Sequence, residues 1–141
     1  MRFPKPEFNI RESKSGLQYS IMILNTALKD YKFKSEFPWY CWIEIKLENF
    51  FGPHNLPPDD EAKVLNEFED KLYSEISKNQ FVHYVSRVTE NRCRTLFYYL
   101  ADPRLANEIL NSFTKDKTMR EFAYYIKEDR EWKAVDFFFD Y

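Results

Sequence analysis

The chain has 141 residues, enough for one domain with its own core and too few for two comfortable ones. Its formal charge of −2 gives no broad field toward nucleic acid or an anionic membrane, and its two glycines, Gly16 and Gly52, cannot build a Walker-type or dinucleotide-binding loop. Aromatic residues are the unusual feature: 14 Phe, 10 Tyr and 3 Trp make up 19% of the chain, a load that a small domain must bury or present to a partner.

Residues 1–15 carry two prolines and many charges without a period, so an irregular or extended arm is expected. The start, Met1-Arg2-Phe3-Pro4-Lys5-Pro6, lacks the apolar run of a signal peptide, and no stretch approaches the ~18 apolar residues of a membrane span. A soluble, cytoplasmic protein is therefore expected. Leu17, Tyr19, Ile21 and Ile23 alternate with Gln18, Ser20 and Met22, which predicts a half-buried extra strand. Lys29 to Glu36 reads as a charged connector. Pro38 opens a second strand, Trp39 to Leu47, with Cys41, Ile43, Ile45 and Leu47 toward helices and Tyr40, Trp42, Glu44 and Lys46 toward a wetter side. The loop from Asn49 to Pro58 ends it.

A helix begins near Asp59, where acids suit the positive end of the dipole, and Ala62, Leu65, Phe68, Leu72 and Ile76 form its apolar stripe. Two runs of β-branched and aromatic residues follow, Phe81 to Val88 and Cys93 to Leu100, around the polar break Thr89-Glu90-Asn91-Arg92. A hairpin with Glu90-Asn91 at its tip pairs His83 with Tyr98, Tyr84 with Phe97 and Arg87 with Arg94. Asp102-Pro103 is a capping acid followed by proline at the first helical position, and Leu105, Ala106, Ile109, Leu110 and Phe113 make a second stripe. Met119 to Lys127 reads as the last strand. The tail, Glu128 to Tyr141, mixes acids with Trp132, Val135 and Phe137-Phe138-Phe139, and fits either a short packed helix or a strand. The order strand-helix-strand-strand-helix-strand predicts one α+β domain over 1–141 on the ferredoxin-like plan, with two helices on one sheet face. Its core spans about 38–127, with an arm and extra strand over 1–37 and an aromatic-acidic tail over 128–141.

Several motifs go together: Phe37-Pro38-Trp39, Leu56-Pro57-Pro58, Arg87-Val88-Thr89 with Arg94 and Phe97-Tyr98-Tyr99, Asp102-Pro103, and Glu128-Asp129-Arg130-Glu131-Trp132. In these the chain resembles the family catalogued as domain of unknown function 695, and more distantly the bacterial regulator of ribonuclease E activity, type B. The resemblance covers roughly Leu17 to Trp132 and includes no catalytic signature. It implies a ferredoxin-like fold and a role in binding and modulating another protein.

Chemistry-bearing residues are sparse. His54, His83, Cys41 and Cys93 show no metal-ligand spacing, so no metal and no cofactor are expected. In the hairpin register above, Cys93 and His83 point to opposite faces, and nothing supplies an oxyanion hole, so no catalytic residue is assigned. Arg92 to Tyr99 matches an RNA-binding aromatic strand only at its ends, which argues against nucleic acid. The same registers leave Tyr40, Trp42, His83, Val85, Leu96 and Tyr98 on a sheet face without helices. Unless the arm or tail folds over it, such a face is an interface for a homodimer or another protein. Tyr40, Trp42, His83, Arg87, Arg94, Tyr98 and Trp132 are the candidate interaction surface. The expected function is a non-enzymatic binding or regulatory protein; a small-molecule hydrolase or transferase is the alternative.

Overall fold

Among residues 2–15 and 18–141, which the computed structural model describes, six strands form one open antiparallel sheet. In chain order the elements are β1 (Phe8–Ser15), β2 (Gln18–Asn25), β3 (Trp39–Lys46), α1 (Asp59–Ile76), β4 (Val82–Glu90), β5 (Cys93–Leu100), α2 (Pro103–Lys115) and β6 (Phe122–Glu128). Across the sheet the order is β1-β2-β4-β5-β3-β6. The chain is thus α+β, with every strand antiparallel to its neighbours.

The two α-helices share one face, and their stripes explain why. Leu65, Phe68, Leu72 and Ile76 of α1 and Ala106 and Leu110 of α2 close on Cys41, Ile43, Ile45, Leu96, Tyr98, Leu100 and Phe122 of the sheet. Burying each large aliphatic or aromatic side chain here is worth about 1.5–3 kcal/mol. The helix starts differ. Asp102 accepts hydrogen bonds from the Arg104 and Leu105 amides, with Pro103 at the first turn, as the sequence predicts. Pro58 precedes α1 without a side-chain cap, and Asp59, Asp60 and Glu61 fill its first turn.

The arm expected over residues 1–15 is in large part β1, which pairs with β2 along its whole length. Weak periodicity hid it, because an edge strand exposed on both faces has no reason to alternate. In β2 the most deeply buried residue is Leu24, with Met22 packed beside it, whereas Ile21 and Ile23 are half-buried on the opposite face. The strand is half-buried as predicted, with Leu24 rather than the alternating isoleucines deepest; Leu17, part of the alternating set, lies outside the described residues.

The hairpin register also differs. Asn91 and Arg92 form the turn with φ of 49° and 65°, so both central residues are left-handed, as a two-residue primed turn requires. Tyr84 therefore faces Tyr98, Arg87 faces Leu96 and Thr89 faces Arg94. Between Tyr84 and Ser86 the ladder slips by one residue at Val85. This bulge resets the alternation, so Tyr84 and Arg87, three residues apart, both look toward α1.

The second sheet face is covered in part. Residues 26–37 pack Leu28, Tyr31 and Phe37 against it, and the 3-10 helix Lys133–Phe139 adds Val135 and Phe138 beside Trp132. Trp132 stacks on Tyr99 at 4.2 Å and donates from Nε1 to the Phe37 carbonyl at 2.9 Å. Asp129 begins the tail by accepting from the Tyr99 hydroxyl and from the Lys133 and Ala134 amides. Those bonds hold its carboxyl below the usual range although burial pushes the other way.

A candidate binding trough on the tail side

Directly paired residues in antiparallel strands point to the same side, so the registers lay out rows across the sheet. One row on the tail side runs Arg11, Met22, Val88, Thr95, Glu44 from β1 to β3; the next runs Asn9, Leu24, Ser86, Phe97, Trp42. The tail covers the rows beyond these and reaches the second row only at Phe97, which Phe138 touches. What remains is a trough of about 490 Å³. Met22, Val88, Phe97 and Trp42 make an apolar floor, Phe137 and Phe138 of the tail one wall, and Arg11 and Ser13 of β1 part of the other. Phe138 meets Phe97 edge to face at 5.1 Å, and Trp42 stacks on Tyr125 at 5.0 Å, so neighbouring rings hold both floor aromatics in place.

Its rim is acidic. Glu44, Glu90 and Asp140 line it, and none of them joins an ion pair among the described residues. Glu12 touches one end but pairs with Ile21, which places its side chain on the other face. The cation in the lining, Arg11, lies over the Tyr141 ring at 4.2 Å. Aromatic faces and carboxylates around one concavity both favour a positive group.

Charge is buried elsewhere, on the helix side. Glu69 of α1 sits between Arg87 and Arg94, at 3.3 and 3.9 Å, and accepts from the Tyr84 hydroxyl at 3.3 Å. Burial raises its carboxyl above the usual range in spite of both guanidinium groups. Arg94 also donates to Asn66 at 2.7 Å. Glu61 is held by Arg120 through two bonds, at 2.8 and 2.7 Å, and accepts from the Glu48 and Asn49 amides. The Arg120 bonds bring its carboxyl down to about 2. Both networks join α1 to the sheet. Glu61 and Glu69 stand four residues before and four after Leu65, on the stripe itself, so their burial follows from helical spacing although apolar members alone mark the stripe in the sequence.

The seven residues proposed from sequence as one surface are distributed over three environments. Trp42 lines the trough. Tyr40, His83 and Trp132 lie on the tail side but are buried beneath the covering segments. His83 bonds through Nε2 to the Tyr31 hydroxyl at 2.9 Å, and burial brings its imidazole down to about 4. Tyr98, Leu96 and Arg94 face the helices, because the bulge at Val85 breaks the alternation expected to keep them on one face with His83. Arg87 is half-buried beside Glu69. The open aromatic face is therefore corrected to a smaller one, and Phe97, Glu44 and Glu90 replace Tyr98 and His83 in it. Among the described residues no group of three or more His, Cys, Asp or Glu is arranged to hold a metal ion, and no helix is long and apolar enough to cross a membrane.

These features define an α+β protein with two α-helices on one side of an antiparallel sheet and an aromatic, acid-rimmed trough on the other. A family model matches residues 16–141, and the chain belongs to that family, a family of unknown function known as DUF695. No curated protein and no solved structure matches it.

Proposed function

We propose that this chain is a non-enzymatic binding protein that regulates a partner by seating a lysine- or arginine-bearing segment of that partner in the trough. The observation that carries this reading is an acidic rim, unpaired among the described residues, around an aromatic floor on the part of the sheet that the helices leave open and the tail only flanks. A long cationic side chain lays its aliphatic stem on Met22, Val88 and Trp42 and brings its charge to Glu44 and Glu90. The core order β4-β5-β3-β6, with α1 and α2 on one face, supports a ferredoxin-like reading in which β1–β2 is an added hairpin. Two unpaired cysteines, Cys41 and Cys93, fit a reducing cytoplasmic setting. A small-molecule hydrolase or transferase is the second reading; the concavity favours it, since a docking patch can be flat.

A short Arg/Lys-rich peptide and an acidic control peptide, titrated calorimetrically, test the proposal. Exposed ion pairs contribute ~0.2–1 kcal/mol each, so Glu44→Gln with Glu90→Gln is expected to weaken basic-peptide binding about tenfold. Trp42→Ala weakens it as well, and the acidic peptide does not bind. Equal affinity for wild type and the double variant sinks the trough as the site. Turnover of a small molecule that is lost in the same variants favours the enzyme reading instead.

A further inference from the structure

Among the described residues the outer edge of β1 has no partner strand, and its backbone polarity follows from the contacts of Glu7. Glu7 turns inward: its amide donates to Asn25 and its carbonyl accepts from the Thr26 amide. Successive residues of a strand alternate, so Phe8, Ile10, Glu12 and Lys14 direct their N–H and C=O groups away from β2. The strand keeps a continuous register from Phe8 to Ser15, with no bulge to twist the edge away. Phe8 and Ile10 are 57% and 71% exposed, and both point to the helix side. An unpaired, regular edge with adjacent apolar side chains is a template for another strand.

We propose that this edge pairs with the same edge of a second copy of the chain, antiparallel, about a two-fold axis perpendicular to the sheet. That symmetry keeps helix side with helix side, so facing residues must share parity. A register centred on Arg11 or on Glu12 sets like charges face to face, and one centred on Ile10 sets Phe8 against Glu12. Centring on Asn9 does neither. It places Phe8 against Ile10 of the partner subunit on the helix side. It places Glu7 against Arg11 of the partner subunit on the tail side. Each contact occurs twice by symmetry. Phe8 and Ile10 are then the hydrogen-bonded pairs, which agrees with the outward direction of their backbone groups. The apolar strip is short, so the dimer is weak and concentration-dependent. It carries both troughs on one face of a continuous twelve-stranded sheet (two copies of six strands).

Sedimentation equilibrium of the full chain over a concentration series tests this. Wild type is expected to approach twice the chain mass at high concentration. Ile10→Pro removes an outward N–H that the β1–β2 ladder does not use, and Glu7→Lys opposes Arg11; both remain monomeric with unchanged far-ultraviolet circular dichroism. Glu7→Lys combined with Arg11→Glu restores the dimer. A wild-type monomer at every concentration overturns the proposal. So does a dimer that survives both single variants, or open-ended assembly in place of a closed pair. Peptide titration is independent of these outcomes, so a failed dimer leaves the trough reading standing.

Discussion

Single residues show how much depends on ion pairs that the sequence pattern hides. Glu61 and Arg120 have side chains only 2% and 9% exposed, are bonded twice to each other, and hold the end of β3 and the following loop through the Glu48 and Asn49 amides and the Lys46 carbonyl. Removing one partner of such a pair leaves the other charged and desolvated. Glu61→Gln is expected to cost about 3–5 kcal/mol, read as a lower urea midpoint at neutral pH. A loss below ~1 kcal/mol would mean that water already solvates Arg120 in the folded protein.

Among the elements, the tail is the one whose type the sequence left open between helix and strand. It is a 3-10 helix, and its role is to close half of the second face. Trp132 is 1% exposed, adopts φ of 58°, stacks on Tyr99 and bonds to Phe37, so it joins the tail to both β5 and the segment after β2. Trp132→Ala is expected to cost ~3–5 kcal/mol and to raise protease sensitivity in residues 128–141. Unchanged stability would show that the tail is attached to the sheet rather than part of its core. Helix positions, by contrast, were legible. α1 starts at Asp59 and α2 follows the Asp102-Pro103 cap, because stripes and caps are local signals read within a few residues.

For the whole molecule, three buried groups set the response to pH. His83 is packed among Tyr31, Phe37, Phe81 and Trp132 and is held neutral, at about 4 against an ordinary 6.5. The unfolded chain therefore takes up that proton first, and stability falls as pH drops from about 6.5 toward about 4. Glu61, at about 2 against 4.5, adds stability that is full above 4.5 and is lost as pH falls through about 2. Glu69 works in the opposite sense, since its raised carboxyl gives up stability as pH rises past the usual carboxylate range. Urea unfolding at several pH values separates the histidine. Its loss between 6.5 and 4 is expected in wild type and is absent from His83→Gln, whatever that variant's absolute stability. Identical slopes in the two proteins would show that His83 reaches its proton without unfolding.

The sequence by itself determined the alternation in β3, both helix stripes, the α2 cap and the family, because each depends on side chains adjacent along the chain or on one face of one element. It also placed Trp42 on the tail side, through the same parity that puts Cys41, Ile43 and Ile45 under the helices. Only the tertiary structure decided the rest. The shift of the turn to Asn91-Arg92 changes which residues pair, and the bulge at Val85 puts His83 on the side opposite Leu96, Tyr98, Arg87 and Arg94. Whether the aromatic face stays open depends on residues 26–37 and the tail, which lie far apart in the chain. Contacts between residues so distant leave no periodic mark on either segment, and the trough is what remains between the tail and β1.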